Sequence, residues 1–93
     1  MTDQKIILSS LALDLKRVAL GLNRGSQNMA ARFSEEALVR KRELNINKVQ
    51  PYLAKLLSGV ERSLAGEDNQ KKSEDALMYS TLLQNYSQKK LAK

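Results

Sequence analysis

The sequence predicts an all-α fold, a small antiparallel bundle of four helices. Three observations carry that reading. Leu8, Leu11, Leu15, Val18 and Leu22 recur in steps of three and four, the spacing that aligns side chains on one face of a helix. Aromatic residues make up only 4% of the 93-residue chain and there is a single proline, whereas strands lean on aromatic and β-branched side chains. The breaks between apolar stripes are short, which favours antiparallel neighbours. The chain is read as one domain, residues 1–93, close to the lower size limit for a self-sufficient core.

Helix 1 is expected from about Asp3 to Asn23. Thr2 or Asp3 can accept from the unpaired first-turn amides, and Gly25 suits the left-handed position just past the end. Ile6, Leu13 and Leu20 form a second stripe at seven-residue intervals, with Ala12 and Ala19 between the two. The apolar arc is therefore wider than the roughly 100° of an ordinary surface helix, leaving mainly Ser10, Asp14, Arg17 and Gly21 opposite. Such a helix is either central to the bundle or shared between its own core and a second subunit.

Helix 2 is expected from Ser26 or Gln27 to about Leu44. Met29, Ala30, Phe33, Ala37 and Leu44 supply a thin inner face, and the rest is charged. Asn45 to Asn47 reads as a break. Helix 3 follows with Pro51 in its first turn and Val49, Leu53, Leu56, Leu57, Val60 and Leu64 inward. A three-helix bundle results if helices 2 and 3 merge, but the residue before a proline resists helical dihedrals. Gly66 stops helix 3, and Gly66 to Lys72 reads as a loop. Ser73 then caps helix 4, whose stripe is Tyr79, Leu82, Leu83 and Tyr86.

Residue chemistry excludes more than it suggests. With no His and no Cys, neither a Ser-His-Asp nor a Cys-His nucleophile system can form, and ordinary zinc, haem and iron–sulfur sites lack ligands. The four glycines fit neither the Walker nor the dinucleotide spacing. Gly21 and Gly25 spell GxxxG, but in a charged context where helix termination explains Gly25 better than a close helix contact. Glu36 and Arg40 read as an i,i+4 ion pair, and acids early in a helix complement its dipole. The reading is non-enzymatic, with no catalytic, cofactor or metal site and no evident small-molecule substrate.

The net charge of +6 raises nucleic acid as a partner. It is spread along the chain: +2 for residues 1–25, +1 for 26–47, +2 for 48–66 and +1 for 67–93. The densest cluster is Arg40, Lys41 and Arg42 with Lys48 beyond. Three successive helical residues cannot all face one phosphate backbone. A helix-turn-helix around Asn23–Gly25 would present Gln27, Asn28 and Arg32 as base-edge readers. Stacking on a single strand would need exposed aromatics in a basic groove, but Tyr79 and Tyr86 flank Leu82 and Leu83 and Tyr52 stands alone.

The longest uncharged apolar run, Ile6 to Leu13, is far short of the roughly 20 residues of a bilayer span. It lacks the flanks of a signal peptide, so a cytoplasmic, unprocessed chain is expected. The functional expectation is a small basic protein acting through protein–protein contact, first of all as a homodimer or other homo-oligomer. Ile6, Leu13, Leu20, Tyr79 and Tyr86 are its candidate interface residues. Nucleic-acid binding through Arg32, Arg40, Lys41, Arg42 and Lys48 is the alternative, and a membrane surface is the weakest of the three.

Overall fold

A computed structural model describes residues 4–44 and 50–90. It holds four helices: α1 (Gln4–Asn23), α2 (Gln27–Glu43), α3 (Pro51–Ala65) and α4 (Asn69–Lys90). They pack side by side in the order α2–α1–α4–α3, within an envelope of 38 × 20 × 20 Å. The sequence neighbours α2 and α3 touch only lightly. The bundle is therefore two hairpins, α1–α2 and α3–α4, joined through the first and last helices.

The α1–α2 turn follows from its residues. Gly25 adopts φ 75°, the left-handed conformation that only glycine takes without strain. The amide of Ser26 bonds the carbonyl of Gly21 at 2.8 Å and that of Gly25 bonds Leu22 at 3.2 Å, a Schellman termination. Ser26 is then the N-cap of α2, its hydroxyl accepting from the Met29 amide at 3.2 Å. Gly25 thus ends a helix as expected, but Gly21 makes a close helix contact after all. A Cβ built there would lie 2.9 Å from the Ala30 amide nitrogen, so only glycine lets α2 approach α1 this closely.

Four helices are present rather than three. Leu44 and Gln50 both have extended backbone, at φ −81° ψ 134° and φ −66° ψ 153°, and Pro51 occupies the first turn of α3. The expected Asn45–Asn47 break, with Lys48 and Val49, lies outside the described residues, as do Thr2 and Asp3.

α4 begins earlier than the sequence suggests. Asp68, not Ser73, initiates it: the Asp68 carboxylate accepts from the Lys71 amide at 3.1 Å and its carbonyl accepts from Lys72 at 2.8 Å. Ser73 instead lies a turn inside, buried, donating to Asn23 Oδ1 at 2.8 Å. Glu74 and Asp75 consequently leave the first turn, which carries no acid.

Leu8, Leu11, Leu15 and Val18 of α1 meet Leu53, Leu57 and Val60 of α3 and Leu83 of α4 in one fully buried core. α2 adds only Ala30 and Ala37 as buried residues, with Phe33 and Leu38 partly covered. Between α1 and α4 runs a seam of small side chains. Ser73, Ser80 and Ser87 are buried at seven-residue spacing. Ser80 donates to the Ala12 carbonyl at 2.6 Å, and the Ser87 hydroxyl lies 3.2 Å from that of Ser9. Every buried serine hydroxyl of this seam is satisfied. On the other flank of α4, Tyr79 packs on Gly59 and the rings of Tyr86 and Tyr52 lie 6.1 Å apart.

Candidate functional site

The structure divides the surface of α1 differently from the sequence reading. Leu8, Leu11, Leu15 and Val18 face the core as expected. The polar side, however, is not the solvent side. Asp14 and Gly21 are buried beneath α2, while Ile6, Leu13 and Leu20 stay 59%, 46% and 38% exposed. The cause is α2, which meets α1 through its own small residues and needs a small residue opposite. Gly21 supplies that, and an aliphatic stripe would hold the helices apart.

Leu77 of α4, 49% exposed, lies beside this stripe. It shares with Leu13, Lys16, Thr81 and Gln84 an open groove of about 330 Å³ between α1 and α4. The serine seam forms the floor, through Ser80 and Ala12. The result is an aliphatic ridge with a shallow trough on one flank, rimmed by one exposed cation, Lys16. Its position follows from α1 being the central helix, covered on two sides by α2 and α4 and bare on a third.

The tyrosines belong elsewhere. Tyr86 is 7% exposed and part of the core, and half-buried Tyr79 rests against α3, so neither joins the Ile6–Leu13–Leu20 stripe. Leu77 is the member that sequence reasoning missed. Its signal was faint, because the serines at 73, 80 and 87, and not a hydrophobic stripe, set which way α4 faces α1.

The basic cluster is divided among neighbours. The Arg40 Nε lies 3.8 Å from the Asp14 carboxylate and its Nη1 lies 3.6 Å from Glu43, in place of the expected pair with Glu36. Lys41 Nζ bonds Glu61 of α3 at 3.0 Å. Arg42 and Arg32 are exposed, the latter with its guanidinium 5.7 Å from the centre of the Phe33 ring. Lys48 lies outside the described residues. Arg40 turns toward α1 and Lys41 toward α3, so the two do not present a common cationic face.

Nor is the α1–α2 pair a helix-turn-helix. Gly21 abuts Ala30, Arg17 stacks over Phe33 and Asp14 meets Arg40, so the helices run antiparallel along most of their length. A helix-turn-helix crosses at roughly 90–120°. Gln27 and Asn28 are exposed, but at the tight end of a hairpin rather than on a projecting recognition helix.

Asp14 is the one buried ionisable side chain of this region. Its Oδ2 has no hydrogen-bond partner, since Arg40 stands too far off to donate. Burial pushes the Asp14 carboxyl above its ordinary value and Glu36 adds to this, while Arg40 and Arg17 pull the other way. The folded state therefore holds this proton more tightly than the unfolded chain does. The Asp14 contribution to stability is complete below the ordinary carboxylate value and falls as pH rises through the raised one. Asp14→Asn should remove that descent and raise stability at pH 7 by on the order of 1 kcal/mol. Urea denaturation of both proteins at pH 4 and pH 7 checks this. A variant less stable at pH 7 would show instead that attraction to Arg40 outweighs the cost of burying the carboxylate.

Among the described residues no group of three or more acids is placed to hold a metal ion, and no helix is long and apolar enough to cross a membrane. A groove of about 450 Å³ at the α3–α4 turn mixes Arg62 and Lys71 with Asp68 and Asp75 and has no dominant charge. Compared with known proteins, the chain matches no family model, no curated protein and no solved structure.

Proposed function

We propose that this chain is a non-enzymatic helical protein that works through protein–protein contact, with self-association through the exposed side of α1 as its first mode. One observation supports the reading above the others. The central helix, whose every other flank is packed, leaves Ile6, Leu13 and Leu20 in solvent at regular spacing, with Leu77 beside them. Scattered exposed aliphatic residues are ordinary; an aligned row on the most enclosed helix is not.

The test is sedimentation velocity across a concentration series. The unmodified chain is expected to associate as concentration rises. Leu13→Lys combined with Leu20→Lys should keep it monomeric with unchanged helicity, because both side chains already reach solvent. A chain that sediments as a monomer throughout sinks the reading.

Nucleic-acid contact remains the second reading because the chain carries a net +6. The engagement of Arg40 by Asp14 and Glu43, and of Lys41 by Glu61, counts against it. Fluorescence anisotropy of labelled DNA and RNA fragments at low salt is expected to show no tight binding. Tight binding that weakens steeply with salt would report phosphate contacts and reverse the order of the two readings.

A further inference from the structure

We infer that α2 is a detachable arm gated by the carboxylate beneath it: α2 stays closed on α1 while Asp14 is protonated and opens away from it more readily once Asp14 ionises. The device is a property of the single chain and does not depend on how copies associate.

Apolar burial holds α2 less firmly than any other described helix. Its own buried residues are Ala30 and Ala37, whereas α3 buries Leu53, Leu56, Leu57, Val60 and Leu64. Its link to α3 is light, and the Lys41–Glu61 pair that spans it is solvent-screened, Glu61 being 63% exposed. An element with so little buried apolar surface opens locally, ahead of the whole fold. The hinge is the turn at Gly25, the left-handed residue that alone separates the end of α1 from the cap of α2.

The weak point of the interface lies at its middle. Asp14 stands seven residues from Gly21, where the backbones touch, and seven from Ile7, which is buried near the opposite end. It is the only charged side chain buried among the described residues. Its Oδ2 accepts no hydrogen bond, and closure of α2 keeps water from supplying one. The charged groups acting on it are Arg17 from α1 and Glu36 and Arg40 from α2, with Arg40 shared with Glu43. Burial, aided by Glu36, favours the protonated form over the pull of Arg40 and Arg17. Opening returns the carboxylate to water and to its ordinary value. The fraction open therefore rises with pH between that value and the raised one, then levels off.

Residue-resolved hydrogen exchange, corrected for the intrinsic rate at each pH and run on monomeric protein, reads the arm directly. At pH 7 the amides around Ala37 are expected to open at least about tenfold more often than those of Leu15 and Leu83. Opening should become rarer as the pH is lowered to 4. In Asp14→Asn it should be about fivefold rarer at pH 7 than in the unmodified chain and should lose most of its pH dependence. Arg40→Gln, which removes attraction to the ionised form, should loosen α2 at pH 7 and much less at pH 4. Exchange of α2 in step with α4 would show one cooperative unit and overturn the arm. A flat pH profile in the unmodified chain, or the same slope in Asp14→Asn, would overturn the gate.

Discussion

Gly21→Leu is expected to destabilise the protein by about 3 kcal/mol, the upper range for forcing volume into a packed interface. The obstacle is backbone. A Cβ at residue 21 would lie 2.9 Å from the Ala30 amide nitrogen and 3.3 Å from its Cα, and neither can swing aside as a side chain would. The helices must separate, which uncovers Ala30 and Ala37, the buried residues that α2 brings to the core. Gly21 also lends its carbonyl to the Ser26 amide, so the disturbance reaches the turn. Thermal unfolding followed by circular dichroism reads the effect. A loss below about 1 kcal/mol, the low end for overpacking, would mean that α2 is not held as described.

Leu15→Ala should also cost about 3 kcal/mol, while Leu13→Ala two residues away should cost under about 0.5 kcal/mol. Both remove the same atoms from the same helix. Leu15 is 1% exposed and packed in the core, so its truncation leaves a cavity; Leu13 is 46% exposed, so its truncation leaves none. The comparison is made in urea at a concentration where the chain is monomeric, so that contacts between copies add nothing to either value. Equal losses would contradict the orientation of α1, and with it the ridge on which the proposed assembly depends.

That orientation shows where the sequence was legible. The core stripe of α1 could be read because five aliphatic residues follow the helical period without interruption. The Gly25 termination and the Pro51 start were legible because each rests on local backbone stereochemistry. The burial of Asp14 and Gly21 was not, because it depends on the partner helix. α2 offers Ala30 and Ala37 rather than leucine, and that choice turns a glycine and a carboxylate inward. The start of α4 was missed for a related reason: Ser73 resembles a cap, but its hydroxyl is spent on Asn23, fifty residues away. Of the candidate site, Ile6, Leu13 and Leu20 were visible as a second stripe. Leu77 was not, since nothing local to α4 tells which side a serine repeat will bury.

The pairing of the first helix with the last has a bearing on how the protein is made. A ribosome adds about 5–20 residues per second, so several seconds separate the completion of α2 from that of α4. Until α4 is made, the strip of α1 beside its core leucines that α4 will cover has no partner. That strip carries Ala12, Ala19 and Ser9, and it is later matched by Ser73, Ser80 and Ser87. Methyls and hydroxyls are far less adhesive toward other unfinished chains than a leucine zipper would be. The same small side chains that let the two helices meet closely give that strip of α1 little with which to hold other chains until α4 emerges.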